Sequence, residues 1–315
     1  MTIAPRVWLL VVACAAGCAQ PQAHAEHPAA PAAAAPPAAA AAPAADGKDG
    51  KIDRSGSVEQ QLRRLQDAYD RNAEALDFLN RVYAQQKAAA THDAESRLAE
   101  DGVFAVDVSE DIQAGQVDGP ADAPVTIIKA FDFACPYCQR MAPVLRELVA
   151  QYHGKIRVVY TNLVIHAPAR PAHLASCAAA KQGKYTQFKD AFWDKGFGPY
   201  AASGGKDASS LGEDNIVAIA KGLGLDTTRL KTDMASPECA ARIEHDLAEL
   251  VKFHVDSTPM FFINGKPFAG AVPKADLEQI IDAQLKVVEA SGVPGADYYR
   301  KVVLGKGEKQ FRGNK

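Results

Sequence analysis

Apolar side chains recur at Val58, Leu62, Leu65, Tyr69, Leu76, Leu79 and Tyr83, in steps alternating between four and three residues, with the polar Asn72 completing the series. That spacing predicts one long helix over about 57–86. Ser57 is placed as its N-cap with Gln60 three residues on, and no Gly or Pro interrupts the run. The seam is heptad-like, and Asn72 is the kind of polar insertion that fixes register in a coiled coil. Two readings follow: self-association along the seam, which the spacing favours, or an amphipathic helix folded back on its own domain. Residues 88–101 read as a polar connector.

Beyond the connector the pattern changes period. Phe104 to Val108 alternates like a strand, Val125 to Phe131 is a continuous apolar run suited to a buried strand, and Lys155 to Ile165 is a third strand. Between the last two, Pro136 to about His153 reads as a helix with Pro143 as a kink, so strand, helix and strand form a crossover unit. Residues 169–253 read as a block of helices with a Gly/Ser-rich interruption near Ser203 to Ser210. Strand signals return at Pro259 to Ile263, Asn264-Gly265 is a hairpin turn, and Lys274 to Ala290 closes with an amphipathic helix. The expected class is α/β: one sheet whose two halves are split by a helical insertion. The stretch 291–315 reads as a short helix and a basic end, with no assignable role.

Residues 1–18 carry the marks of an export signal: Arg6, then an apolar run from Val7 to Ala16 too short to span a bilayer, then small residues. Ala15-Ala16-Gly17-Cys18 resembles a bacterial lipoprotein box, which would make Cys18 the lipidated first residue; Cys14 offers a competing frame, and an ordinary cleaved signal is the alternative. Residues 19–56 are Ala/Pro-rich with almost nothing to bury and read as a disordered tether. The expected location is the periplasm or cell envelope, membrane-anchored by lipid. A net charge of −3 without a basic stripe excludes nucleic acid as an expected partner.

Export makes the remaining cysteines, Cys135, Cys138, Cys177 and Cys239, an even set in an oxidising compartment. Zinc is disfavoured because Cys177 and Cys239 are far apart in sequence and supply no second close pair. A static staple between Cys135 and Cys138 closes a ring too small to constrain the unfolded chain much. Exchange chemistry fits better: Cys135 ends a buried strand, Pro136 suits the first helical turn, and the amides and dipole of a helix start lower a thiol's pKa. Cys138, one turn on, would resolve a mixed disulfide. Thr258-Pro259, just before a strand, suggests a tight turn, often with a cis bond, that frees the backbone of Thr258 to pair with an extended peptide.

With VTIIKAFDFACPYCQRMAPVLREL, AAAKQGKYTQFKDAFW and VDSTPMFFINGKPFAGAVPKADLEQIIDAQL on view, the chain resembles the thioredoxin superfamily, and within it the DsbA-like thiol:disulfide oxidoreductases, over about Phe104 to Leu285. The resemblance implies a thioredoxin fold with a helical insertion over about 102–290. It implies Cys135 as nucleophile, Cys138 as resolving cysteine and Pro259 as the cis-proline, with no cofactor beyond the cysteine pair. It departs from the strongly oxidising members in having Pro136-Tyr137 where those have Pro-His, which implies a less oxidising couple. Thr258 before the proline looks more like the superfamily's isomerases and reductases. The N-terminal helix is reminiscent in style of ScsC-like and DsbC-like isomerases.

The expected activity is therefore disulfide exchange in unfolded or misfolded exported proteins, served by a membrane redox partner. An oligomeric isomerase or reductase, or a tethered chaperone or redox-sensing adaptor, are the alternatives. Cys177 and Cys239 are expected to pair with each other, from the even count, with two buried free thiols as the alternative. Tyr137 is expected at the substrate surface, and Phe131, Phe133, Met260 and Phe261 either line an apolar rim with it or belong to the core. Asp132 reads as a strand-end or capping acid in preference to a proton-transfer group. His153, His166, His173, His245 and His254 form no ligand spacing.

Overall fold

The structure is a computed structural model that describes residues 55–314, without the side chains of residues 88–96. The expected signal segment, Cys18 as the expected lipidation site and nearly all of the expected tether lie outside the described residues.

Helix α1 (Val58–Ser96) begins as the capping pattern predicts. Ser57 Oγ accepts from the Gln60 amide at 3.3 Å while Gln60 Oε1 accepts from the Ser57 amide at 3.1 Å, so two otherwise orphaned donors are satisfied reciprocally. The helix runs ten residues past the expected end at Gln86, through the stretch read as a connector. Ala88-Ala89-Ala90 is the physical reason, since alanine has the highest helix propensity and nothing in the stretch breaks the ladder. The seam side chains are exposed, from 41% at Leu76 to 81% at Val58.

From Asp77 onward the chain forms a second unit, built on a sheet. Among the described residues its strands are β1 (Val117–Asp118), β2 (Val125–Phe131), β3 (Ile156–Asn162), β4 (Met260–Ile263) and β5 (Lys266–Ala269), in the order β1-β3-β2-β4-β5. A short helix, α2 (Ser109–Gln113), precedes β1. β2 and β3 are parallel and joined by α3 (Pro136–Gln151), with Val125 opposite Ile156 and Phe131 opposite Asn162. β4 runs antiparallel to β2, and β5 antiparallel to β4. The β4–β5 turn has φ of 47° at Asn264 and 84° at Gly265, the two positive values that a two-residue hairpin requires. A Cβ at Gly265 would also meet the Phe104 carbonyl at 2.9 Å, so glycine is needed there twice over.

Between β3 and β4 lies the helical insertion: α4 (Arg170–Ala180), α5 (Tyr185–Phe192), a π-helical turn (Trp193–Phe197), α6 (Gly198–Ala202), α7 (Glu213–Gly222), α8 (Thr227–Met234) and α9 (Pro237–Val251). After the hairpin come α10 (Lys274–Ala290) and α11 (Gly295–Tyr298).

Strand β2 is buried along its whole length, and its alternation feeds two cores. Val125, Ile127 and Phe131 pack with α3, α10 and the insertion, whereas Ile128 and Ala130 join the opposite face with Phe104, Phe253, Phe262, Tyr298, Tyr299 and Val303. Lys129 falls in register with Ile127 and Phe131, so a lysine sits on the first face. The stretch 291–315, without an assigned role in the sequence, closes the second face through Tyr298, Tyr299 and Val303.

The expected strand Phe104 to Val108 is absent among the described residues, and the first strand is instead Val117–Asp118. The backbone groups of 103–107 are satisfied singly instead of by a ladder: Phe104 N by Gly265 O at 2.8 Å, Ala105 N by Glu308 O at 2.8 Å, and Asp107 N by Glu249 Oε1 at 2.8 Å. The Tyr299 hydroxyl donates to the Val106 carbonyl. Alternation here reflects a segment threaded between partners that lie far away in sequence.

Candidate functional site

Cys135 is the N-cap of α3, with extended backbone (φ −88°, ψ 119°) and Pro136 at the first helical position. That geometry turns the sulfur back over the helix start, where it accepts from the Cys138 amide at 3.4 Å. The Cys135 amide bonds the Asp132 carbonyl at 3.1 Å and the Gln139 amide bonds the Cys135 carbonyl at 3.1 Å, fixing the turn on both sides. The two cysteines are not bonded to each other; Cys138 is fully buried and Cys135 is 4% exposed.

Their environments drive the two thiols apart. Cys135 is pulled down to about 5, chiefly because the Cys138 thiol hydrogen-bonds to its sulfur, with Thr258 and the amides of Cys138 and Tyr137 adding to this and burial opposing it. Burial and the same hydrogen bond push Cys138 well above the usual thiol value, while the nearby Lys129 ammonium pulls the other way. One sulfur is thus an anion near neutrality and its neighbour holds its proton, which is the division of labour a nucleophile and a resolving thiol need.

The Thr258–Pro259 peptide is cis, and the Thr258 carbonyl lies 3.3 Å from Cys135 Sγ. The turn brings together residues 123 positions apart in the chain. Beside it opens a groove of about 770 Å³ whose lining includes Leu98, Phe253, Ser257, Met260, Pro267 and Phe268. Tyr137 stands 51% exposed, with the Arg140 guanidinium 4.3 Å from its ring centroid. The apolar rim does not form as one surface: Phe131, Phe133 and Phe261 are fully buried core, and Met260 is 8% exposed.

Asp132 is a buried capping acid. Its Oδ1 accepts from the Ala134 amide at 2.7 Å, and its Oδ2 accepts from the amides of Ile165 at 2.6 Å and His166 at 2.7 Å. It thereby ties the loop carrying Cys135 to the segment that follows β3.

Three residues of the support were not foreseen. His173 on α4 is fully buried; its Nε2 accepts from the Phe133 amide at 3.2 Å, so Nδ1 carries the proton and donates to Asn162 Oδ1 at 2.7 Å. Asn162 Nδ2 in turn donates to Asp246 Oδ2 at 2.6 Å. Burial holds His173 down to about 4, hence neutral, which this chain of bonds requires. No spacing in the sequence marks these three, because the insertion separates Asp246 from Asn162 by 84 residues. Lys129 was also passed over, although a lysine inside VTIIKAF was visible.

Within the insertion, Cys177 on α4 and Cys239 on α9 are joined by a disulfide, with Cα atoms 5.7 Å apart. Among the described residues no group of three or more His, Cys, Asp or Glu side chains converges in a way that could hold a metal ion.

A cysteine at the start of a helix that leaves a parallel strand, faced by a cis-proline turn and set in a sheet split by helices, defines a thioredoxin-fold protein of the DsbA-like arrangement. The thioredoxin family model matches residues 111–283, and the chain belongs to that family. It is similar to the Na(+)/H(+) antiporter NhaA of Herminiimonas arsenicoxydans, 28% identical over 184 residues that make up 58% of this chain and 28% of that protein. The chain therefore spans under a third of that relative's length. Among solved structures, it is similar to a thioredoxin-like oxidoreductase from Silicibacter pomeroyi, at 29% identity and a TM-score of 0.47, covering 54% of this chain and 91% of the other. BdbD from Bacillus subtilis in oxidised form is similar at 22% identity and a TM-score of 0.45, covering 60% and 98%.

Proposed function

We propose that this chain is an exported thiol:disulfide oxidoreductase that exchanges disulfides with unfolded or misfolded exported proteins through Cys135 and Cys138. The observation that carries the reading is the Cys135 sulfur, held at the start of α3 by the Cys138 amide and held low by the Cys138 thiol.

In the reducing direction the Cys135 thiolate attacks a client disulfide, forming a mixed disulfide and releasing one client thiolate, which takes a proton from water. Cys138 then loses its proton and attacks Cys135 Sγ; the Cys135–Cys138 bond forms and the second client sulfur leaves. Oxidation of a client dithiol is the same sequence reversed. An extended client would lie in the groove beside Thr258, its backbone pairing with that residue and its side chains meeting Tyr137. The cell envelope is the compartment in which such a couple works, with a membrane redox partner resetting the cysteines and lipidated Cys18 tethering the chain.

The exposed stripe on α1 favours a second reading, in which copies associate along α1 and act as an isomerase. Sedimentation analysis separates the two, because the isomerase reading requires an oligomer whose mass falls to that of one chain when Leu62, Leu65 and Leu79 are replaced by serine.

The primary reading is tested by incubating the protein with a reduced, unfolded disulfide protein in a glutathione buffer. Catalysed disulfide formation or rearrangement, lost in Cys135→Ser, is the expected result. Equal rates with and without the protein would overturn the reading.

A further inference from the structure

Asp111 on α2 and Asp246 on α9 are both buried, and the Asp111 carboxyl faces that of Asp246 within hydrogen-bond reach. The other oxygens of the pair have donors. Asp111 Oδ1 accepts from Gln116 Nε2 at 2.8 Å, while Asp246 Oδ2 accepts from the Asn162 amide at 2.8 Å and from Asn162 Nδ2 at 2.6 Å. Asp246 Oδ1 receives no hydrogen bond from any other described group, and His245 Nδ1, at 3.7 Å, is too distant to give one. A buried carboxylate oxygen without a donor is costly, and a hydrogen on Asp111 fills the gap.

The charges around the pair point the same way. The Arg242 guanidinium is divided between two acids, with Nη1 3.2 Å from Glu110 Oε2 and 4.0 Å from Asp111 Oδ1. The titratable groups facing the pair from the packed elements are Glu110 from α2, Arg242 and His245 from α9, Tyr185 from α5 and, beyond Asn162, His173 from α4; β3 presents the uncharged Asn162. Two ionised carboxylates side by side in the interior repel, and a guanidinium shared with Glu110 does not offset both. Burial, followed by the charge of Asp246, pushes Asp111 well above the usual carboxylate range, with Arg242 opposing. Burial raises Asp246 too, but the two bonds from Asn162 and the one from Asp111 hold it down, so the proton rests on Asp111 and the charge on Asp246.

Asp246 is the member of the pair whose hydrogen bonds lead to the cysteines. Asn162 Oδ1 accepts from His173 Nδ1 at 2.7 Å, and His173 Nε2 accepts from the amide of Phe133, two residues before Cys135, at 3.2 Å. A full charge on Asp246 polarises these bonds in turn. It draws on the Asn162 amide hydrogens, which makes Asn162 Oδ1 a better acceptor for His173, which in turn makes His173 Nε2 a better acceptor for the loop.

We propose that Asp111 and Asp246 share one proton and that the charge left on Asp246 positions the Cys135 loop through Asn162 and His173, in the service of the exchange reaction proposed above, on which this role rests. The pair sits on the insertion side of the fold, so the insertion holds the redox loop by charge as well as by packing. When the shared proton is lost in alkali, the two carboxylates repel, Asp246 is displaced from Asn162, and the chain to Phe133 slackens.

NMR of the full chain labelled at aspartate carboxyl carbons and histidine ring nitrogens tests this, in the Cys135–Cys138 disulfide form so that neither thiol titrates. One aspartate carboxyl should titrate above about pH 7, and the His173 Nε2 and Phe133 amide signals should move with it. Aspartates that titrate only in acid, or a His173 ring indifferent to the alkaline step, would overturn the proposal. Two variants then separate positioning from structural support, because each keeps one carboxylate and can rebuild the bond between the pair. Asp111→Asn leaves the charge on Asp246; it should abolish the alkaline step and keep the wild-type midpoint for alkylation of Cys135 in the reduced protein. Asp246→Asn moves the charge to Asp111; it should raise that midpoint by about one unit, slowing reaction with iodoacetamide at about pH 5 roughly fivefold. Equal midpoints in the two folded variants would overturn the proposal. Should Asp246→Asn fail to fold, the titration of the unsubstituted protein decides alone. That titration does not depend on catalysis, so absence of catalysed exchange in a protein that shows the coupled step would remove only the function proposed above.

Discussion

The sulfur of Cys135 lies 3.3 Å from the carbonyl oxygen of Thr258, although 123 residues separate them in the chain. The contact joins the two halves of the sheet across the helical insertion, and it places the reactive sulfur beside the backbone that would receive a client.

The low Cys135 thiol predicts a specific alkylation profile. The rate of reaction of the reduced protein with iodoacetamide should rise through a midpoint of about 5, and Cys138→Ala should move that midpoint upward because it removes the largest cause of the shift. The same asymmetry governs stability. Since the folded value lies below the ordinary thiol value of 9.0, the thiolate's contribution is complete above about pH 9 and is lost as pH falls through about 5. Denaturant unfolding of the reduced protein should show stability rising across that window, and the disulfide form should lack this component.

Asp132 accepts from three backbone amides, those of Ala134, Ile165 and His166. Asp132→Ala should cost about 3 to 5 kcal/mol, given roughly 1.5 to 3 for each hydrogen bond to a charged group with partial relaxation. Urea unfolding measures it, and a loss under 1 kcal/mol would show that the loop is held in some other way.

His173→Phe keeps the ring volume and removes both bonds, leaving the Phe133 amide and Asn162 Oδ1 without partners. A loss of about 2 to 4 kcal/mol is expected from two orphaned groups. Because His173 is held neutral down to about 4, below the ordinary imidazole value of 6.5, its contribution is complete above pH 6.5 and disappears as pH falls through 4. The variant's acid limb should therefore be flatter than that of the wild type between those values.

The Cys177–Cys239 bond closes a separation of 62 residues within the insertion. Replacing both by alanine should cost about 4 kcal/mol on the chain-entropy argument, measured by thermal unfolding with the Cys135–Cys138 pair kept reduced. The exchange rate should hardly change, since neither sulfur touches the site.

How much of this was legible in the sequence depended on whether a feature was local. Cys135, Pro136 and Cys138 announce a helix start by themselves, and Asn264-Gly265 announces its hairpin, because each relies on backbone preferences of adjacent residues. Phe104 to Val108 misled for the opposite reason. Its alternation is genuine, but the partners of its backbone, Gly265, Glu249 and Glu308, come from segments over 140 residues away. The end of α1 was missed because alanine-rich polar sequence reads equally well as connector or helix. The His173–Asn162–Asp246 chain was invisible, since it exists only once the insertion folds back onto β3. Lys129 was readable as an anomaly in an apolar strand, and only the structure shows that it bonds the Cys138 carbonyl and forms no ion pair with a carboxylate among the described residues.

The central claim is that Cys135 attacks and Cys138 resolves. The most direct test is to react reduced Cys138→Ser protein with a disulfide-containing client and map the adduct by non-reducing mass spectrometry. The account predicts a stable mixed disulfide at Cys135, absent in Cys135→Ser. No adduct, or one carried by Cys177 or Cys239, would contradict it.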